Sequence, residues 1–141
     1  MARGCGFDEE DTGRAALVGL ELATNLARHG GGGDLLLAEI VGTASKALEV
    51  IALDRGLGMA DVNRCLTDGV STFGSAGVGL GAIRRQADEF DIYSLAAPAQ
   101  GHGTAILARL WPGRRPPSER LARIGSVSVP KPGELVCGDD L

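Results

Sequence analysis

Apolar and polar positions follow two rhythms along this chain of 141 residues. From Asp8 to His29, Leu17, Val18, Leu20, Leu22, Ala23, Leu26 and Ala27 surround a polar stripe of Glu21, Asn25 and Arg28. That stripe runs at i, i+4 and i+7, one face of a helix. Asp8-Glu9-Glu10-Asp11 puts acids where a helix begins, complementing its partial positive charge. Gly30-Gly31-Gly32-Gly33 cannot sustain a helix, so the pattern predicts one from about Asp8 to His29. Leu35 to Val41 and Ala47 to Asp54 are rich in Leu, Ile and Val and bounded by Gly or Asp, which predicts two strands joined as a hairpin. A turn at Asp54-Arg55-Gly56-Leu57-Gly58 leads to a short helix from Ala60 to Leu66. A further helix runs from near Val78 to about Phe90, with Ile83, Ala87 and Phe90 inward and Arg84, Arg85 and Asp88 outward. Asp91 to Leu95 and Gly103 to Trp111 close the set as strands. Helices and hairpin-linked strands without regular βαβ alternation imply an α+β fold, a two-layer α/β sandwich with one sheet and its helices on one face.

Composition adds one unusual term. Apolar residues at 44% and charged ones at 23% are ordinary for a chain that buries a core. Glycine is not ordinary: 22 residues, without period and with only 6 prolines. That rules out a collagen-like reading and points to close backbone approach. The net charge of −4 splits into 9 basic and 14 acidic residues over 1–111, and 5 and 4 over 112–141. No basic footprint for nucleic acid stands out. Cys5, Cys65 and Cys137 are odd in number and lack metal-ligand spacing, which suits a reducing cytoplasm. No apolar run has the ~18–20 residues of a membrane span, so no membrane role is expected.

Four short strings carry candidate chemistry. Glu21 and Asn25 lie one helical turn apart, and Asn25 could offer a carbonyl oxygen to a hard cation such as Mg²⁺. Alone, the pair reads more readily as a solvated stripe than as a site. Asp54, followed by Gly56 and Gly58, sets a carboxylate at a strand end where the backbone can turn close to a flat ligand. Such a carboxylate can accept a hydrogen bond from an exocyclic amine. Gly77, Gly79 and Gly81 open a helix, where unpaired N–H groups can meet an anion. The string has neither the surrounding βαβ unit of a dinucleotide fingerprint nor the Lys-Ser/Thr of a P-loop. Gly101-His102-Gly103-Thr104 precedes the last strand and by itself reads as a turn.

The order of these strings is more specific than any of them. Glu-x-x-x-Asn on a helix, Asp-x-Gly-x-Gly at a strand end, Gly-x-Gly-x-Gly before a helix, then Gly-Thr before a strand resembles the GHKL ATPase superfamily. Within it, "GVGLGAIRRQADEFDIYS" and "GHGTAILARLW" resemble the bacterial anti-sigma-type serine/threonine kinases, the switch kinases of partner-switching stress-response pathways. The resemblance covers roughly residues 8–111 and implies a Bergerat-type fold with an ATP pocket between helices and sheet. It implies Asn25 as ligand of the Mg²⁺ on the phosphates and Glu21 as the base toward an attacking hydroxyl. Asp54 would take the adenine amine, with Gly56 and Gly58 shaping its pocket. Gly77, Gly79 and Gly81 would meet the phosphates, and Thr104 would support the adenine end. Arg28 and Arg55 are further contacts. Leu57 stands where these kinases often have proline.

The same resemblance implies a protein partner: a STAS-domain antagonist, with a sigma factor or a phosphatase as further partners. The alternative is an ATP-gated anti-sigma or phosphatase-activating module without phosphoryl transfer. Residues 1–111 form the expected ATP-binding domain, without the strand and helix that usually come first, and 112–124 a proline-rich linker. Residues 125–141 ("GSVSVPKPGELVCGDDL") resemble the opening of a sporulation-type metal-dependent phosphatase, in which Asp139 would be a metal ligand.

Overall fold

A computed structural model describes residues 2–41, 46–66, 79–96 and 103–114. A 3₁₀ turn, Ala2–Cys5, precedes helix α1, Glu9–Arg28. Asp8 caps α1 by accepting from the Asp11 amide at 2.8 Å, so the acid cluster stabilises the first turn as expected. Strands β1, Gly33–Val41, and β2, Lys46–Asp54, pair antiparallel from Gly33↔Asp54 to Val41↔Lys46. After the four-residue helix α2, Val62–Cys65, come α3, Gly79–Gln86, then β3, Glu89–Ser94, and β4, Thr104–Leu110. The sheet order is β1-β2-β4-β3, and every pairing among the described residues is antiparallel.

α1 and α3 lie against one face of this sheet. Alternation in β2 and β4 sends Leu48, Val50 and Ala52, and Ile106, Ala108 and Leu110, inward to meet Val18, Leu22, Leu26 and Ile83. Val18, Leu22, Val50, Ile83 and Leu110 are fully buried, each contributing about 1.5–3 kcal/mol through removal of apolar surface from water. On the other face Leu36, Leu53 and Tyr93 remain exposed.

Two expectations need correction. The helix expected to reach Phe90 ends at Gln86, and Phe90 lies in β3. Pairing of Glu89 with Arg109 and Phe90 with Ala108 offers these residues a strand partner that local periodicity does not register. Asp88, expected to face outward, turns its side chain inward, leaving it 7% exposed and paired with Arg14 at 2.7 Å. Gly77, His102, the strand expected at 125–130 and Asp139 lie outside the described residues.

Candidate functional site

The end of β2 meets the start of β4, and that junction builds the first half of the site. Asp54 is the last residue of β2, and its Oδ1 accepts from the Gly56 amide at 2.8 Å and the Thr104 amide at 3.1 Å. Both bonds fall on one oxygen; Oδ2 has no hydrogen bond among the described residues. A carboxylate so held is oriented by its own backbone and keeps two lone pairs for a ligand. The surrounding loops are stitched together: Gly103 N–H donates to the Gly56 carbonyl at 3.1 Å, Met59 N–H to Ser94 Oγ at 2.7 Å, and Ser94 Oγ lies 2.9 Å from Thr104 Oγ1. Gly103 adopts φ 72°, and a Cβ there would overlap the Asp54 carbonyl oxygen, so glycine is required for this approach.

Gly30 belongs to the same junction, although as a sequence it reads only as a helix stop. A Cβ on it would lie 2.6 Å from the Asp54 Cβ. The run of glycines after α1 thus lets the helix end close onto the strand end carrying Asp54. A cleft of about 700 Å³ opens beside Asp54 between residues 30–34 and 53–57. It does not reach Glu21 or Asn25.

The second half lies between α1 and α3. Glu21 and Asn25 are half-buried on α1 and face the first residue of α3: a Cβ on Gly79 would lie 2.9 Å from Glu21 Oε2 and 3.6 Å from Asn25 Oδ1. The Glu21 carboxylate has no hydrogen bond or ion pair among the described residues. Asn25 Nδ2 is buried and has no partner there either. Buried polar groups are normally satisfied, and an orphan of this kind is costly unless a ligand completes it. Gly81, one residue beyond Leu80 in the same first turn, is buried. Of the sequence-derived site residues, Glu21, Asn25 and Gly79 therefore come together, as do Asp54, Gly56 and Thr104. Gly58 sits beside Leu95 at the outer edge of the second group. Arg28 and Arg55 are exposed.

The donor set suits Mg²⁺ bound largely through a ligand's own phosphates. Among the described residues no group of three or more His, Cys, Asp or Glu could hold a metal by itself. The Asn25 amide oxygen, 3.6 Å from where a Gly79 Cβ would stand, would be one protein oxygen for an Mg²⁺ whose other ligands are phosphates and water. Thiol chemistry is not favoured: burial raises both the Cys5 and Cys65 thiols above their ordinary range, with Glu39 and Asp61 adding to the effect.

This arrangement is the ATP-binding fold of GHKL-type kinases. Full-length ShkA in complex with AMPPNP superposes with a TM-score of 0.51 at 22% identity over 69% of this chain, which spans 21% of ShkA. The mycobacterial sensor histidine kinase MprB superposes with a TM-score of 0.50 at 24% identity, over 73% of this chain and 71% of its own. No family model matches. The sequence is 35% identical over 111 residues to the serine/threonine-protein kinase RsbT of Bacillus subtilis (strain 168), covering 79% of this chain and 80% of RsbT. The chain belongs to the RsbT family of serine/threonine-protein kinases.

Proposed function

We propose that the protein binds Mg-ATP and transfers its γ-phosphoryl group to a serine or threonine of a STAS-type antagonist protein in a partner-switching pathway. The observation that carries this reading is the pair of unpartnered polar side chains, Glu21 and Asn25, facing Gly79 in the same fold that holds the Asp54 carboxylate ready at the β2–β4 junction. In this reading Asp54 Oδ2 accepts the adenine amine. Gly56, Gly58 and Thr104 shape that pocket, and Gly77, Gly79 and Gly81 line the phosphates. Asn25 would hold Mg²⁺, which supplies neutralisation of phosphate charge.

Glu21 accepts the proton of the incoming hydroxyl. The hydroxyl oxygen forms a bond to the γ-phosphorus as the bond from that phosphorus to the β,γ-bridging oxygen breaks, and ADP leaves with the bonding pair. Little covalent work falls to the protein, so positioning and electrostatic stabilisation dominate. Residues 1–111 would form this ATP-binding unit, with 112–124 as linker and 125–141 as the opening of a phosphatase-like domain.

Two measurements test the reading. Mg-ATP at ~100 times its dissociation constant should stabilise the fold by ~2.7 kcal/mol; a folded protein whose melting temperature ignores ATP removes it. Labelled phosphate should then pass from ATP to a STAS-domain protein. Binding without any transfer favours the ATP-gated binding module.

A further inference from the structure

Seven residues before Glu21 on α1, and seven residues after Gly79 on α3, the two helices are joined a second time. Arg14 Nη2 and Nε donate to the carbonyl of Gln86, the last residue of α3, at 2.7 and 3.2 Å. The same guanidinium reaches Asp88 Oδ1 at 2.7 Å and Asp11 Oδ1 at 2.8 Å. The two carboxylates pass the tie onward: Asp88 Oδ2 accepts from the Trp111 amide at 2.8 Å and Asp11 Oδ2 from the Gly113 amide at 3.0 Å. Side chains of all three charged residues are 5–7% exposed. Arg14 thus acts as a C-terminal cap donated by another helix, meeting an otherwise orphaned carbonyl with positive charge where the helix is partially negative.

Geometry makes this more than a local tie. α1 and α3 lie antiparallel, with Arg14 beside Gln86 at one end and Glu21 beside Gly79 at the other. Seven residues make two turns on each helix, about 10.5 Å on both. Buried Val18 and Ile83 belong to the common core between the two junctions. Two rods of equal length, clamped at one end and packed along their length, have little freedom at the other.

We infer that Arg14 is a positioning residue for phosphate binding: its contacts to Gln86 and Asp88 set where the first turn of α3 stands relative to Glu21 and Asn25. The inference rests on the nucleotide-binding reading above, and it separates the phosphate half of the site from the adenine half, to which Arg14 makes no contact among the described residues.

The test compares the full chain with Arg14→Gln and Arg14→Lys. Lysine keeps the charge between Asp11 and Asp88 but cannot reach both and the Gln86 carbonyl with a planar fork, so it serves if glutamine prevents folding. Titration calorimetry with ATP and with adenosine, together with hydrogen exchange at residues 79–86, is read for each protein. In the folded variants ATP should bind at least about tenfold more weakly, adenosine should stay within about twofold, and the 79–86 amides should lose protection. A purely structural role would lower the melting temperature while leaving the ratio of ATP to adenosine affinity unchanged, and that result overturns the inference. Wild-type protein that binds neither ligand overturns the nucleotide reading and the inference with it. Wild-type binding with an unshifted ratio in the variants overturns the inference alone.

Discussion

The two halves of the site differ in how their polar groups are satisfied. At the β2–β4 junction Asp54, Gly56, Ser94, Gly103 and Thr104 bond to one another through backbone and side chain, leaving one carboxylate oxygen spare. Between α1 and α3, Glu21 and Asn25 have no partner among the described residues, and glycine holds open the space before them. The first half is complete as folded and presents a single acceptor in a fixed direction. The second half keeps polar groups without partners among the described residues. In the proposed reading, the fixed half would recognise a flat ligand at low ordering cost, and the open half would gain its partners when a ligand arrives.

The largest expected effect lies in the open half. Glu21→Gln keeps size and shape and removes only the proton acceptor. It should cut phosphoryl transfer by ~10²–10⁴-fold while melting temperature and ATP affinity stay near wild type. Equal transfer by the two proteins would leave Glu21 as a half-buried helix residue with no catalytic part.

Glycine-to-alanine exchanges at the two ends sharpen the contrast. Gly103→Ala meets both a positive φ and the Asp54 carbonyl, which should cost about 2–5 kcal/mol from the left-handed conformation and overpacking together. Gly79→Ala meets only the far end of a side chain, Glu21 Oε2. At the first residue of α3 only part of alanine's helix-interior advantage over glycine, up to about 1 kcal/mol, applies, so the melting temperature should hold near wild type while ATP affinity falls. Urea unfolding of both variants decides it. A Gly79→Ala protein as unstable as Gly103→Ala would mean that both ends are equally rigid.

Much of this was legible in the chain. The helix carrying Glu21 and Asn25 is long and has its acids and glycines at the proper ends, so its periodicity and stop signals agree. The four strings appear in an order that reads as one pocket, and the structure groups Glu21, Asn25 and Gly79, and separately Asp54, Gly56 and Thr104. What escaped depends on contacts distant in sequence. Arg14 and Asp11 are visibly three residues apart on a helix, but the second carboxylate that Arg14 holds, Asp88, lies 74 residues away. Gly30 reads as a helix stop and gains its second task only when the end of β2 folds against it. The α3–β3 boundary was misplaced because Arg109 and Ala108, which recruit Glu89 and Phe90 into the sheet, follow them by some 20 residues.

Removing the charged acceptor from the closed half should destabilise the protein even without nucleotide. Asp54→Ala deprives the Gly56 and Thr104 amides of their common partner. An unsatisfied buried donor costs ~1–3 kcal/mol, and water admitted by the adjoining cleft offsets part of it. Chemical denaturation of the ligand-free protein should show that loss, and the ATP response should vanish with it. An Asp54→Ala protein of wild-type stability would show that the junction is held by its backbone alone.

The smallest expected change in stability, and the one of opposite sign, comes from the corresponding exchange in the open half. Asn25→Leu keeps the branched four-atom outline of the side chain, with bulkier methyl ends, while deleting an amide whose buried Nδ2 has no partner among the described residues. Replacing an unsatisfied polar group by an apolar one of similar shape is near neutral or stabilising, and leucine also favours the helix interior slightly more than asparagine. The ligand-free variant should therefore melt at or a little above the wild-type temperature. Mg²⁺-dependent ATP affinity should nevertheless be lost, because the cation has no oxygen to meet and the phosphates keep their charge. Stability and binding would then move in opposite directions at Asn25 and in the same direction at Asp54. If Asn25→Leu and the smaller Asn25→Ala were both destabilised beyond the loss of packing, the amide would be satisfied within the folded chain, and the contrast between the two halves would fall.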